Sequence, residues 1–242
     1  MAAIKTIDLT KKYKDVTAVD ALNLEVFEGE LFALLGVNGA GKTTTVKMLS
    51  CLASPTSGDA FILGKSIKDS SSEIKSEIAV SPQESAIAAG LSVYENLDLI
   101  CGVHGFKKEK RREKIKELSS LLSLDVTLKR KAGKLSGGFK RRLSIAMALI
   151  SEPKILFLDE PTLGLDVISR SELWDIIRAL KGKVTIILTT HYMEEAEMLS
   201  DRIAIMKDGK LLICDTAENI KKKTGEEKFE AAFIKVVKEA KI

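Results

Sequence analysis

Cysteine is sparse in this chain: Cys51, Cys101 and Cys214 stand far apart, and no two form a C-x-x-C pair. An odd, scattered set excludes a disulfide framework and a cysteine-based zinc site, and it fits a reducing compartment. Long apolar runs are missing as well. The best, LFALLGV and VTIILTT, fall far short of the ~18 residues that a membrane-crossing helix needs and read as buried strands. The N-terminus, MAAIKTIDLTKKY, has no extended apolar core, and Asp8 interrupts it, so a targeting segment is not expected. No repeat or low-complexity stretch appears. A net charge of +4 is too mild to call for nucleic acid, yet does not oppose an anionic ligand or a membrane surface. What remains is a chain of 242 residues, 45% hydrophobic and 30% charged, the composition of a folded globular domain.

The periodicities divide the chain into three characters. In the first thirty residues Leu22, Leu24 and Val26 alternate with Asn23, Glu25 and Phe27, the period of an antiparallel strand with one face buried. Leu31 to Leu35 reads as a short buried strand, and residues 42–52 have helical spacing with Val46, Leu49 and Leu52 on one stripe. From about Glu84 to Ser151 the pattern is helical. Ile115, Leu118, Leu121 and Leu122 form one apolar stripe, and residues 143–150 form a helix buried on most sides. Strand and helix then alternate: a strand over 155–158, a helix over 171–180 facing inward through Leu173, Ile176, Ile177 and Leu180, and a strand over 184–190. Asp208-Gly209 marks a hairpin. This order predicts an α/β fold, a mainly parallel sheet flanked by helices, with an N-terminal antiparallel β subdomain and an inserted α-helical subdomain.

Gly36-x-x-x-x-Gly41-Lys42-Thr43 is a complete P-loop (Walker A) pattern, set between a predicted strand and a predicted helix. Backbone N–H groups from Gly36, Asn38, Gly39, Ala40, Gly41 and Thr44 would curl around phosphate oxygens at a helix N-terminus. Lys42 would reach the β- and γ-phosphates, and Thr43 would ligate Mg²⁺. Asp159 and Glu160 end the apolar strand ILFL, where ligands gather in such sheets. Asp159 suits the metal, and Glu160 the water that attacks phosphorus. Leu135-Ser136-Gly137-Gly138 offers a helix cap and free glycine N–H groups, a second anion site, although a plain capped helix has the same features.

In their fixed order these motifs, with Gln83, LGLD at 163–166 and His191, resemble the nucleotide-binding subunit of ATP-binding cassette (ABC) transporters. The resemblance runs over about residues 3–215. It implies a cassette over 1–220, with helices inserted at about 84–151, and a short helical extension over 221–242. It implies ATP and Mg²⁺ as cofactors, Gln83 as a further metal ligand, and His191 as the switch residue on the γ-phosphate. Ser136, Gly137 and Gly138 would contact the nucleotide held by a second cassette, with Asp166 at the seam between the two and Tyr13 stacking on adenine. Phe139 departs from the family's usual glutamine, which puts any polar contact at that position in doubt. The implied activity is ATP hydrolysis. The implied setting is cytoplasmic and peripheral on the inner membrane face, driving an exporter of drug, polysaccharide, sodium or lipid type.

The implied partners are a separate permease and a second cassette, with no nucleic acid. Ile87, Leu91, Val93 and Leu97 could line a groove for the permease or simply pack the insertion. The basic run 107–116 reads as a solvated helix face with Glu109 and Glu113 pairing to Arg112 and Lys116, and Lys140-Arg141-Arg142 as support for the dimer. A non-transport ABC ATPase of the iron–sulfur assembly type is the alternative. A GTPase lacks its N-K-x-D motif here.

Overall fold

The computed structural model describes residues 1–240. Strand β1 (Ala2–Tyr13) pairs antiparallel with β2 (Val16–Leu22) and, at its start, with β3 (Glu25–Phe27). Leu22, Leu24 and Val26 are buried and Asn23, Glu25 and Phe27 exposed, as the alternation predicts. The run is nevertheless split between two strands. At the break the Thr6 hydroxyl donates to the Leu22 carbonyl and accepts from the Leu24 N–H, both at 2.8 Å, so one side chain replaces the ladder there.

Next come β4 (Leu31–Gly36), buried along its whole length, and helix α1 (Lys42–Leu49). The helix is shorter than its spacing predicts. Cys51 takes a left-handed φ of 56°, the turn stops there, and Leu52 points to solvent at 66% exposure instead of completing the inward stripe. Strands β5 (Ser57–Ile62) and β6 (Lys65–Ser66) complete the antiparallel sheet, in the order β2-β1-β5-β6 with β3 on the side of β1. Helix α2 (Ser71–Glu77) then leads into β7 (Ile78–Ser81).

A helical section follows, made of α3 (Val93–Val103), α4 (Lys108–Leu121) and α5 (Gly137–Leu149). A capping box starts α3: the Ser92 hydroxyl accepts from the Glu95 N–H at 3.2 Å while the Glu95 carboxylate accepts from the Ser92 N–H at 2.6 Å. Val93 and Leu97 are fully buried in the core shared with α4 and α5, so they pack the section and do not line an open groove. The outward residues of α3 are Tyr94, Leu99 and Val103. On α4 the expected pairs of Glu109 with Arg112 and Glu113 with Lys116 are absent from the ion pairs of the described residues. Lys108, Arg111 and Arg112 share a stripe toward α3, where Arg111 meets Asp98 at 3.4 Å, and Lys114 pairs instead with Glu117 and Glu152, each at 3.0 Å.

The chain then runs through β8 (Ile155–Asp159), α6 (Val167–Leu180), β9 (Thr185–Thr190), α7 (Met193–Leu199) and β10 (Arg202–Lys207). A turn at Asp208-Gly209 connects to β11 (Lys210–Asp215), and α8 (Ala217–Thr224) and α9 (Phe229–Glu239) close the fold. The main sheet has the order β11-β10-β4-β9-β8-β7 and is parallel except for the β10–β11 hairpin. Alternate residues of its central strands enter different cores. Leu156, Leu158, Ile186 and Leu188 meet the helical section, whereas Ile155, Phe157 and Ile187 meet α1 and the antiparallel sheet. The boundary expected at residue 220 falls inside α8. Ile220, Phe229 and Phe233 are buried with Ala33, Leu35, Ile203 and Ile205, so α8 and α9 share a core with the main sheet. Residues 241–242 of the expected extension lie outside the described residues. Among the described residues no helix is long and apolar enough to cross a membrane.

The antiparallel sheet carries a bulge in its β1–β5 pairing, where Gly58 has φ 71° and a Cβ would collide with the Asp8 carbonyl. Gly58→Ala should destabilise the fold by about 2 kcal/mol or more, because strain and collision act together. A thermal melt should show the loss as a drop of about 4–8 °C.

Candidate functional site: a phosphate cradle between β4, β8 and β9

The parallel strands β4, β8 and β9 end side by side, and the loops that leave them form one cavity of about 560 Å³. It is lined by Asn38 to Thr44, Gln83, Glu160 and His191, together with Ala18 and Leu163. The P-loop turns from β4 into α1 through Gly41, whose φ of 99° suits glycine alone and whose Cβ would sit on the Ala18 carbonyl. Lys42 is 5% exposed, and its ammonium donates to the carbonyls of Gly36 at 2.7 Å and Val37 at 3.2 Å. Glu160 Oε1 lies 3.8 Å from the same nitrogen. Burial lowers the Lys42 pKa, while Glu160 and Asp159 work against that shift.

Thr43, Asp159 and Thr189 form a chain of oxygens across the floor. Thr43 Oγ1 donates to Asp159 Oδ1 at 3.3 Å, and Thr189 Oγ1 donates to the same oxygen. The Thr189 hydroxyl also accepts from the Glu160 N–H at 3.0 Å, and the Thr189 carbonyl does so at 3.1 Å. Held this way, Glu160 adopts a left-handed φ of 45°, a strain of about 1–3 kcal/mol for a residue with a side chain. The twist turns its carboxylate to His191, with Oε2 and Nδ1 at 3.0 Å. Sequence reasoning passed over Thr189. Its signal was the pair of threonines closing an otherwise apolar strand.

Arg141 has a different place from the one its sequence context implies. It is 4% exposed and points inward from α5. Its guanidinium donates to the carbonyls of Pro82, of Gln83 at 3.3 Å and of Asp159 at 2.5 Å. Burial presses its pKa to about 10, still a cation near neutrality. Arg142 is buried too and pairs with Glu172. Neither is a free dimer contact.

Of the signature residues Gly137 lines a second cleft of about 440 Å³, together with Gln83, Arg141, Glu160 and the segment 163–165. Ser136 occupies the N-cap of α5, but its hydroxyl makes no capping bond. The Phe139 ring lies under the Arg142 guanidinium at 5.1 Å. Asp166 is outside both cavities: it caps α6, accepting from the Ser169 N–H at 2.9 Å and the Ser169 hydroxyl at 2.7 Å, and those bonds hold its pKa low. Tyr13 is also outside the cavity lining. Its ring is half-exposed at the end of β1 with the Lys11 ammonium 5.0 Å over it, and the β1–β2 turn brings Ala18 to the P-loop instead.

Residues 19–163 match the family model described as ABC transporter, more than half of the chain. The chain belongs to the ABC transporter family. Among the relatives of this ABC cassette is the human phospholipid-transporting ATPase ABCA3, 42% identical over 93% of the cassette. Another is the probable multidrug ABC transporter ATP-binding protein YbhF of Escherichia coli, 40% identical over 97%. The cassette spans only 13% of the length of ABCA3 and 41% of YbhF. Of solved structures, the dimeric cassette MJ0796 with ADP and Pi, in a post-hydrolysis state, superposes with a TM-score of 0.80 at 28% identity, covering 88% of this cassette and 98% of that chain. An ATP-binding subunit of an ABC transporter superposes at 0.85 with 26% identity, covering 97% and 99%. This ABC cassette therefore binds and hydrolyses ATP.

Because Arg141 donates to three carbonyls, among them the buried carbonyl of Asp159, Arg141→Met should destabilise the cassette by about 2–3 kcal/mol. Chemical denaturation of the two proteins measures it directly. A loss under about 0.5 kcal/mol would deny Arg141 its anchoring role.

Proposed function

We propose that this cassette is the motor of an exporter: one of a pair of cassettes that hydrolyse ATP at the inner face of the membrane and drive a separate permease. The observation that carries the catalytic half is the convergence of Lys42, Glu160 and His191 on one cavity. The transport half is supported by the relatives, which are named for phospholipid transport and multidrug transport. The match to a solved ATP-binding subunit over 99% of that chain supports a separate permease.

In this reading the P-loop N–H groups hold the phosphates, and Lys42 exchanges the carbonyls of Gly36 and Val37 for β- and γ-phosphate oxygens. Glu160 takes the proton of the attacking water, and His191, fixed by its contact with Glu160, faces the γ-phosphate. Thr43, Asp159 and Gln83 present oxygen donors, the set that suits Mg²⁺. When bound, the ion neutralises charge on the phosphates. Ser136 keeps a hydroxyl free of any cap, and with Gly137 and Gly138 it would serve the nucleotide of the second cassette, as the dimeric MJ0796 cassette supports. The permease would dock by the Gln83 loop and the exposed end of α3, through Leu99 and Val103.

Glu160→Gln should bind ATP normally and lose about 10²–10⁴ in hydrolysis, since a positioned base is removed and the amide still fits. The same variant should accumulate as an ATP-dependent dimer in size-exclusion chromatography; wild-type turnover would refute the base assignment. Lys42→Ala should instead weaken binding of a fluorescent ATP analogue, by about tenfold or more, because a charge-assisted contact to phosphate is lost before any chemistry. Gly137→Asp places negative charge where the second nucleotide must sit, so it should abolish turnover while the P-loop still binds ATP. Equal ATPase activity in Gly137→Asp and wild type would remove the role given to the signature.

A further inference from the structure

Beneath the loops that carry Glu160 and His191 lies a carboxyl group that the reaction above does not use. Glu195, in the first turn of α7, is fully buried. Its Oε1 accepts from the Thr162 hydroxyl at 2.8 Å and from the Trp174 indole N–H at 3.1 Å. Its Oε2 has no hydrogen-bond partner among the described residues. A leucine would fill a similar volume without the desolvation that a carboxyl group suffers here. Burial pushes the Glu195 carboxyl up, toward the neutral form. An apolar side chain would avoid that cost but leave the Thr162 hydroxyl and the Trp174 N–H without an acceptor.

The segments joined by Glu195 explain the choice. Thr162 lies two residues beyond Glu160, in a turn closed by the Leu163 N–H on the Glu160 carbonyl at 3.2 Å and the Leu165 N–H on the Thr162 carbonyl at 3.1 Å. Trp174 belongs to α6, the helix that this turn leads into. Glu195 itself is one helical turn past His191, and the Ala196 N–H bonds back to the Tyr192 carbonyl at 3.2 Å. One carboxyl group therefore ties the turn that follows β8 to the lead-in of α7 that follows β9. Their reactive side chains meet 3.0 Å apart on the other side of that tie. We infer that Glu195 is a positioning residue for hydrolysis, locking the Glu160 turn to the His191 lead so that the two side chains keep one relative geometry. The inference rests on the roles proposed above for Glu160 and His191.

The test uses the full chain with Mg²⁺ and ATP, reading kcat at saturation, the Kd of a trinitrophenyl-ATP probe, and thermal stability. Glu195→Leu should lower kcat about tenfold or more, the scale of a small misplacement of reacting groups. The Kd should stay within about twofold, since the P-loop makes no contact with Glu195 and so loses no phosphate donor. Glu195→Gln keeps an acceptor at Oε1 and a neutral group at Oε2, so it should restore kcat to within about threefold of wild type, little of the transition-state stabilisation being lost. A second pair leaves the carboxyl group alone: Thr162→Val should lower kcat several-fold, and Thr162→Ser, which keeps the hydroxyl, should restore it.

A purely structural tie predicts something else: a lower melting temperature with wild-type kcat per bound nucleotide, or a kcat loss that follows a loss of binding. Either result in Glu195→Leu and Thr162→Val overturns the inference. If Glu195→Leu does not fold, the Thr162 pair decides alone. Glu160→Gln measured alongside separates the two levels. Turnover in that variant overturns the functional reading itself, whereas an inactive Glu160→Gln beside wild-type rates in Glu195→Leu and Thr162→Val overturns only the positioning role.

Discussion

A single buried guanidinium connects the parts of this cassette that have to act together. Arg141 rises from α5, four residues into the helix that the signature opens, and donates to the carbonyls of Pro82, Gln83 and Asp159. Those carbonyls belong to the loop after β7 and to the last residue of β8. The bond to Asp159 is buried, so without the arginine that carbonyl would lose a donor that water does not readily replace. Because the cation still carries its charge with its pKa pressed to about 10, it also sets a positive field behind Asp159 and Glu160. The loop of Gln83, the signature helix and the two acids thus share one rigid origin, and a shift of any one of them is felt by the others.

Around that origin the parallel sheet does the rest of the positioning. The five parallel strands of the main sheet end at nearly the same level, and β8 and β9 run in register from Ile155–Thr185 to Asp159–Thr189. The register is what places Thr189 opposite Asp159, and its one hydroxyl can then serve both Asp159 and the Glu160 N–H. The strained φ of Glu160 follows from the same geometry. A relaxed backbone would continue the strand direction and carry the carboxylate away from His191. Strain at this position is offset by the full burial of β8 and β9.

Much of this was legible in the chain, and the illegible part has a common cause. The P-loop, the acids after ILFL and the histidine after VTIILTT are read from local pattern, because strand, turn and ligand residue are contiguous there. The errors fall where a side chain's fate depends on a distant segment. Arg141 looks like a surface cation beside Lys140 until the carbonyls of residues 82, 83 and 159 come under it. Val93 and Leu97 look like a groove until α4 and α5 cover them. The charged run on α4 looks like alternating pairs, but the helix sorts Lys108, Arg111 and Arg112 to the face of Asp98 and leaves Glu109 and Glu113 to water. Glu195 gave no signal at all, since an acid inside MEEAE is indistinguishable from its exposed neighbours.

The two cavities divide the labour in a way that bears on assembly. The P-loop cavity is lined by Lys42, Thr43, Glu160 and His191, yet by none of Ser136, Gly137 or Gly138. Gly137 lines instead the neighbouring cleft, whose walls include the exposed segment at Leu163 and Gly164. Gln83 and Glu160 line both. Arg141 and Arg142 pin the first turns of α5 from inside, so in the proposed pair the signature would meet the nucleotide of the second cassette. The exposed apolar residues beside it, Val167 and Ile168 at the start of α6, add surface that a second cassette would cover. In the proposed pair, the rigidity that keeps each half-site incomplete is then also the reason that closure of two cassettes and hydrolysis are one event.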